Sequence, residues 1–158
     1  REVVQVANDN GGGQVVVSGH AGAVDRACEI ARAEGVKRAM RLPVSAPFHC
    51  ALMEPAAEAM SEALGEASVR APAVPVVANV SAAKATDPNA IRALLVQQVT
   101  GTVRWRECVA AMAAMGCDRF VEVGSGKVLT GLMKRNAPEA TAMACATPAE
   151  IEAVLKAL

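Results

Sequence analysis

Aromatic side chains are almost missing from this 158-residue chain: Trp105, Phe48 and Phe120 are all it has, and tyrosine is absent. With 53% hydrophobic residues, its core must be built from Ala, Val, Leu, Ile and Met. Net charge is also lacking, since sixteen basic residues cancel sixteen acidic ones. A balanced chain with so few stacking platforms gives no ground for nucleic-acid binding. Five cysteines (Cys28, Cys50, Cys108, Cys117, Cys145) form no CxxC pair, so neither a zinc site nor a disulfide framework is expected. Reduced thiols in a cytoplasmic protein are the simplest reading. No apolar run approaches the ~20 residues that span a bilayer, and no signal peptide is visible. The sequence opens at Arg1, without an initiating Met.

Two catalytic signatures are absent as well. A nucleophile elbow needs Gly-x-Ser-x-Gly, which none of the serines meets, Ser125 included. Gly124-Ser125-Gly126-Lys127 invites a phosphate-loop reading, but such a loop needs a Gly five residues before its Gly-Lys pair and Ser or Thr after the Lys. Those positions hold Val121 and Val128. What remains is a tight strand-to-helix turn with free N–H groups facing whatever lies there.

The most informative stretch that is present runs Val44-Ser45-Ala46-Pro47-Phe48-His49-Cys50-Ala51-Leu52-Met53. It sets one of only two histidines where a Pro-containing loop meets an amphipathic helix. Imidazole titrates near neutrality, so a histidine held there can take and return a proton. The bland alternative is a ring that only satisfies a loop carbonyl. Cys50 reads as a small buried hydrophobe, and His20 as a surface or cap residue. The side chain of Gln98 reads as solvent-facing. Lys37-Arg38 and Lys134-Arg135 are paired bases, usually solvated but able to steer an acidic or phosphorylated partner.

Periodicity places strands at 3–6, 14–18 and 37–42, with a helix from Ala23 to Ala31 closed by Gly35. The segment 8–13 is a strong turn signal. After Pro43 come a helix to about Gly65, a buried strand at 74–80, and a helix capped by Asp87-Pro88. A helix from Val103 to Met115, a strand at 119–123 and a helix after the glycine turn follow. Thr147-Pro148-Ala149-Glu150 is a capping box for a last helix through Leu158. This alternation predicts an α/β layer with some parallel strands.

Taken in order, four segments resemble the C-terminal half of malonyl-CoA:acyl-carrier-protein transacylases. They are Asn8 to Gly19, the Pro47-Phe48-His49 stretch to Met53, Val103-Arg104-Trp105, and Glu122 to Leu132. The resemblance covers essentially the whole chain. It implies an α/β fold: residues 1–43 would be part of an inserted ferredoxin-like subdomain, and 44–158 the C-terminal part of an α/β-hydrolase-like core. It also implies ping-pong transfer of malonyl from malonyl-CoA, through a serine, to the phosphopantetheine thiol of acyl carrier protein. His49 would be the base, and the main-chain carbonyl of Gln98 would orient it. Asn10 and Gln14 would border the CoA channel, Val128 would lie near the thioester arm, and Lys134 with Arg135 would receive the acidic carrier. A bulky Phe48 would favour malonyl over methylmalonyl. No metal or other cofactor is implied, because CoA and phosphopantetheine enter as substrates. The serine elbow, the malonate-binding arginine and the oxyanion-hole motif would belong to an N-terminal half, the remaining partner. Without it the chain is expected to be inactive and to fold poorly alone. The related alternatives are the acyltransferase domain of a polyketide synthase and a non-catalytic α/β binding module. The closing helix, with no linker after it, favours a stand-alone enzyme.

Overall fold

The computed structural model describes residues 1–157. The chain opens with a hairpin, β1 (Val4–Asp9) and β2 (Val15–Gly19), paired antiparallel. Its turn uses Gly11, Gly12 and Gly13 in succession at φ 76°, 58° and 79°, a run that only glycines make without steric cost. The register slips between Val6 and Asn8, leaving Ala7 as a bulge. Ala7 is buried, and its carbonyl accepts from Val103 N (2.8 Å) while Asp9 N donates to Val103 O (2.9 Å). The bulge therefore turns the far edge of β1 onto the body of the protein.

Helix α1 (Ala21–Ala33) follows and ends beside Gly35, at φ 86°. Residues 37–42 are not the expected strand. No described strand runs alongside them, so the ladder that the alternation called for has no partner. Arg41 instead holds the segment to α1 through Asp25 (2.6 and 2.7 Å) and the Ala21 carbonyl (3.0 Å). A 3-10 turn at Ala51–Met53 leads into α2 (Glu54–Glu66).

The strand expected at 74–80 shrinks to β3 (Val76–Ala78), and it is not buried: Val76 is 39% exposed. It pairs antiparallel with β4 (Ala83–Ala85), whose Ala-Lys-Ala sequence carries little strand signal. Asp87 caps α3 (Pro88–Thr100) by accepting from Ala90 N at 2.8 Å, with Pro88 in the first turn as expected. Helix α4 (Trp105–Ala114) starts two residues later than its periodicity suggests. Val103 is held in a parallel bridge to Asn8 and so cannot enter the helix.

The C-terminal part is a β-α-β-α unit: β5 (Arg119–Val123), α5 (Val128–Asn136), β6 (Thr141–Cys145) and α6 (Pro148–Ala157). β5 and β6 are parallel, as the alternation of elements required. The Thr-Ala-Met-Ala-Cys run of β6 gave no strand signal in sequence. The capping box forms: Glu150 accepts from Thr147 N (3.1 Å) and donates its own N–H to Thr147 Oγ1 (3.3 Å). Leu158, where that helix was expected to end, lies outside the described residues.

The three strand pairs remain separate two-stranded sheets. Parallel strands normally have both faces covered, yet Val123 on β5 is 76% exposed. The accessible surface is 10237 Å², whereas a compact monomer of this mass exposes about 7,400 Å². An apolar cleft of about 270 Å³ opens between β3, α4, β5 and α5, with Val77, Trp105, Phe120 and Met133 in its walls. No described helix is long and apolar enough to cross a membrane.

Candidate acyl-transfer site

His49 sits in the loop ahead of the 3-10 turn, with φ at +60°. A non-glycine residue in this region costs about 1–3 kcal/mol and persists only where its surroundings over-determine it. Here they do. Cys50 next to it is fully buried, as expected of a small hydrophobe, and its thiol donates to the Pro47 carbonyl at 3.1 Å. Ala51 N donates to Gln5 Oε1 at 2.7 Å, which ties the loop to β1. The ring itself is fixed by α3: His49 Nδ1 lies 3.0 Å from the Gln98 main-chain oxygen.

That contact decides the tautomer. A carbonyl oxygen only accepts, so Nδ1 carries the hydrogen, and in the neutral ring the lone pair lies on Nε2. The arrangement therefore presents an oriented base through Nε2. The Gln98 side chain is not solvent-facing as its sequence suggested. It folds back over the end of α3, with Nε2 donating to the Gly101 carbonyl at 2.9 Å and Oε1 buried without a partner. A carbonyl left exposed at a helix C-terminus had to be satisfied, and the side chain does it.

Phe48, beside the base, is 46% exposed. Asn10 and Gln14 close the hairpin turn, Asn10 N donating to Gln14 O at 3.0 Å, and the Gln14 side chain is exposed. The Asn10 carbonyl accepts from Asn136 Nδ2 at 2.9 Å. A Cβ on Gly12 would meet Arg135 Cδ at 2.5 Å, so Arg135 lies against the same turn. Lys134 and Arg135 occupy the last turn of α5, where cations complement the helix dipole, and both are exposed. His20 is an exposed N-cap residue whose Nδ1 accepts from Val3 N at 2.8 Å.

The donors of the helix that follows the glycine turn are taken: Glu122, on β5, accepts from Leu129 N (3.1 Å), Thr130 N (2.8 Å) and Thr130 Oγ1 (2.7 Å), and within the turn Gly124 N donates to the Cys145 carbonyl (3.0 Å). The Thr130 N–H, more than any other group, holds the Glu122 carboxyl below the usual carboxylate range. The available signal was an acidic residue inside the apolar run Phe-Val-Glu-Val just before a helix start. Gln5 was also unforeseen, a polar residue in a strand whose partner lies 46 residues away. Cys108 is buried, and burial pushes its thiol up, away from the reactive thiolate. Among the described residues no three His, Cys, Asp or Glu side chains gather as a metal site.

The site is thus a loop-borne histidine held by a helix-terminal carbonyl on a mixed α/β scaffold. The family model described as "Acyl transferase domain" matches residues 1–154, so the chain belongs to that family. It is 48% identical over 154 residues to the malonyl CoA-acyl carrier protein transacylase of Salmonella typhimurium, covering 98% of this chain and 50% of that one. An acyl-carrier-protein-S-malonyltransferase from Bartonella henselae superposes with TM-score 0.93 at 54% identity, over 98% of this chain and 49% of that one. A malonyl-transacylase solved in complex with its type II polyketide-synthase acyl-carrier protein gives TM-score 0.94 at 39% identity, covering 99% of this chain and 51% of the other. The chain thus spans about half the length of the relatives it matches.

Proposed function

We propose that this chain is the base-bearing half of an enzyme that moves malonyl from malonyl-CoA to the phosphopantetheine thiol of an acyl carrier protein, in the cytoplasm. The observation that carries the reading is the 3.0 Å contact between His49 Nδ1 and the Gln98 carbonyl, which leaves Nε2 as the acceptor. In this reading a serine on the complementary half attacks the malonyl thioester. His49 Nε2 takes the serine proton and delivers it to the departing CoA sulfur. The carrier thiol then gives its proton to Nε2 and attacks the acyl-serine, and the proton returns to the serine oxygen. No metal or redox group takes part.

The other assignments follow from the same reading. Residues 1–43 belong to a ferredoxin-like insert and 44–158 to an α/β-hydrolase-like core. Asn10, Gln14 and Val128 border the path of the CoA arm, and Lys134 with Arg135 meets the acidic carrier. Phe48 keeps a branched acyl group out, a discrimination of ~1–3 kcal/mol for one methyl group. Strands of the complementary half fill the cleft between β3 and β5. The open strand edges, the excess surface and the unpartnered Trp105 Nε1 on the cleft wall support that placement.

The test is malonyl transfer to a holo carrier protein by this chain assembled with a serine-bearing half. Transfer that falls roughly 10²–10⁴-fold in His49→Ala is expected. Full activity of that variant would overturn the assignment. Turnover of methylmalonyl-CoA is expected to rise in Phe48→Ala, and comparable use of both substrates by the unaltered enzyme would remove the role given to Phe48.

A further inference from the structure

The segment Gly124-Ser125-Gly126-Lys127 has the look of an anion site: glycines, a helix start and a lysine. Carboxylates of the chain itself stand against the helix start and the lysine. Glu122 takes the first-turn donors of α5 through Leu129 N, Thr130 N and the Thr130 hydroxyl, at 2.7–3.1 Å. Lys127 Nζ lies 3.9 Å from Glu150 Oε1, drawn toward the start of α6. The turn nevertheless faces open space, for a Cβ on Gly124 or Gly126 would meet nothing within 4 Å. On either side of it stand Val123, 76% exposed, and Val128, 72% exposed. The surface is therefore open and apolar at its flanks, with the Leu129 and Thr130 donors at the start of α5 masked by a carboxylate.

We infer that Glu122 is a positioning residue. Its carboxylate, reaching from β5 across the turn, fixes the backbone that carries Val128 and cancels the helix N-terminus, so that the turn takes an uncharged, amide-and-alkyl arm and rejects phosphate. This rests on the acyl-transfer reading for the identity of the arm, a pantetheine-like chain, but not for the masking. The phosphates of a CoA-type ligand must then be met elsewhere. The carboxylate also caps α5, whose N-cap residue Lys127 makes no side-chain cap bond, and it opposes any anion approaching the donors it occupies.

Two readouts separate the parts. In the first, inorganic phosphate is titrated into the chain assembled with a serine-bearing half, while the backbone amides of residues 124–130 of this chain are followed by NMR. The unaltered chain is expected to show no saturable shift. Glu122→Gln, which keeps the size but removes the charge, is expected to respond saturably at Leu129 and Thr130. Glu122→Asp retains the charge and is expected to restore the indifference. Saturable phosphate binding by the unaltered chain at these amides would overturn the masking, and that arm holds even if Glu122→Gln fails to fold. An unresponsive, folded Glu122→Gln would overturn it equally.

In the second readout, transfer is measured with the serine-bearing half present. Glu122→Gln is expected to raise KM for malonyl-CoA about tenfold with kcat within about threefold, and Glu122→Asp to recover most of the loss. An unchanged KM in Glu122→Gln would overturn the positioning role. Gain of phosphate binding together with absence of transfer in every protein, the unaltered one included, would leave the masking standing and sink the acyl-transfer reading instead.

Discussion

At the scale of single residues, the backbone and the side chain of Gln98 do different things. Its carbonyl fixes His49 Nδ1, and its side chain covers the Gly101 carbonyl at the end of α3. Gln98→Ala keeps the first and loses the second. Transfer is expected to stay within a few-fold of normal while unfolding stability drops about 1 kcal/mol, measured by denaturant titration. A large loss of transfer without loss of stability would show that the side chain itself enters the reaction. His49 stood out in the sequence because histidines are so scarce in this chain. Its left-handed φ was not legible, since that conformation is imposed by Gln5, Pro47 and Gln98, all distant or silent in pattern. The same holds for Glu122, which reads as one more charge until the turn folds over it.

At the scale of elements, local rules and tertiary pairing contributed unequally. Caps and glycine stops marked α1, α3 and α6, because those signals act within four residues of the element they bound. Strands were less legible. The segment at 37–42 was expected as a strand and finds no ladder partner, whereas β4 and β6 have partners without a strand-forming composition. The hairpin turn offers a direct contrast between two glycines that share a positive φ. A Cβ on Gly11 would lie 1.9 Å from Asn136 Oδ1, while one on Gly13 would meet nothing. Gly13→Ala is expected to cost only the ~1–2 kcal/mol of the left-handed conformation. Gly11→Ala should cost about 1 kcal/mol more, because Asn136 must also give up its bond to the Asn10 carbonyl. Equal thermal shifts for the two variants would contradict the docking of the turn on α5. Asp87→Ala, a simple cap deletion, is expected to cost about 1 kcal/mol by the same assay.

At the scale of the whole molecule, the fully buried side chains are few and small, with Val109, Cys50 and Cys108 the largest. A core of that size, beside an open cleft and exposed strand edges, points to a polypeptide that needs a second surface to complete it. Acid should loosen it in a defined direction. Arg106 lowers the Asp9 carboxyl, Arg104 lowers Glu107, the Thr130 N–H lowers Glu122 and the Ala146 N–H lowers Glu150. Folded values below the unfolded ones stabilise the protein above the ordinary carboxylate range, and that contribution is lost as pH falls through the folded values. Unfolding midpoints are therefore expected to hold down to about pH 4.5 and to fall below it. Glu122→Gln should flatten part of that fall, and an unchanged acid profile in this variant would contradict the strength given to its hydrogen bonds.

The most direct measurement is the intact mass of both polypeptides after malonyl-CoA is added to this chain, alone and together with a serine-bearing half. The expected result is no adduct on this chain under either condition, one malonyl group on the complementary half when the two are mixed, and loss of that adduct in His49→Ala. A malonyl adduct on this chain alone, or acylation of the other half that ignores His49, would contradict the placement of the base here.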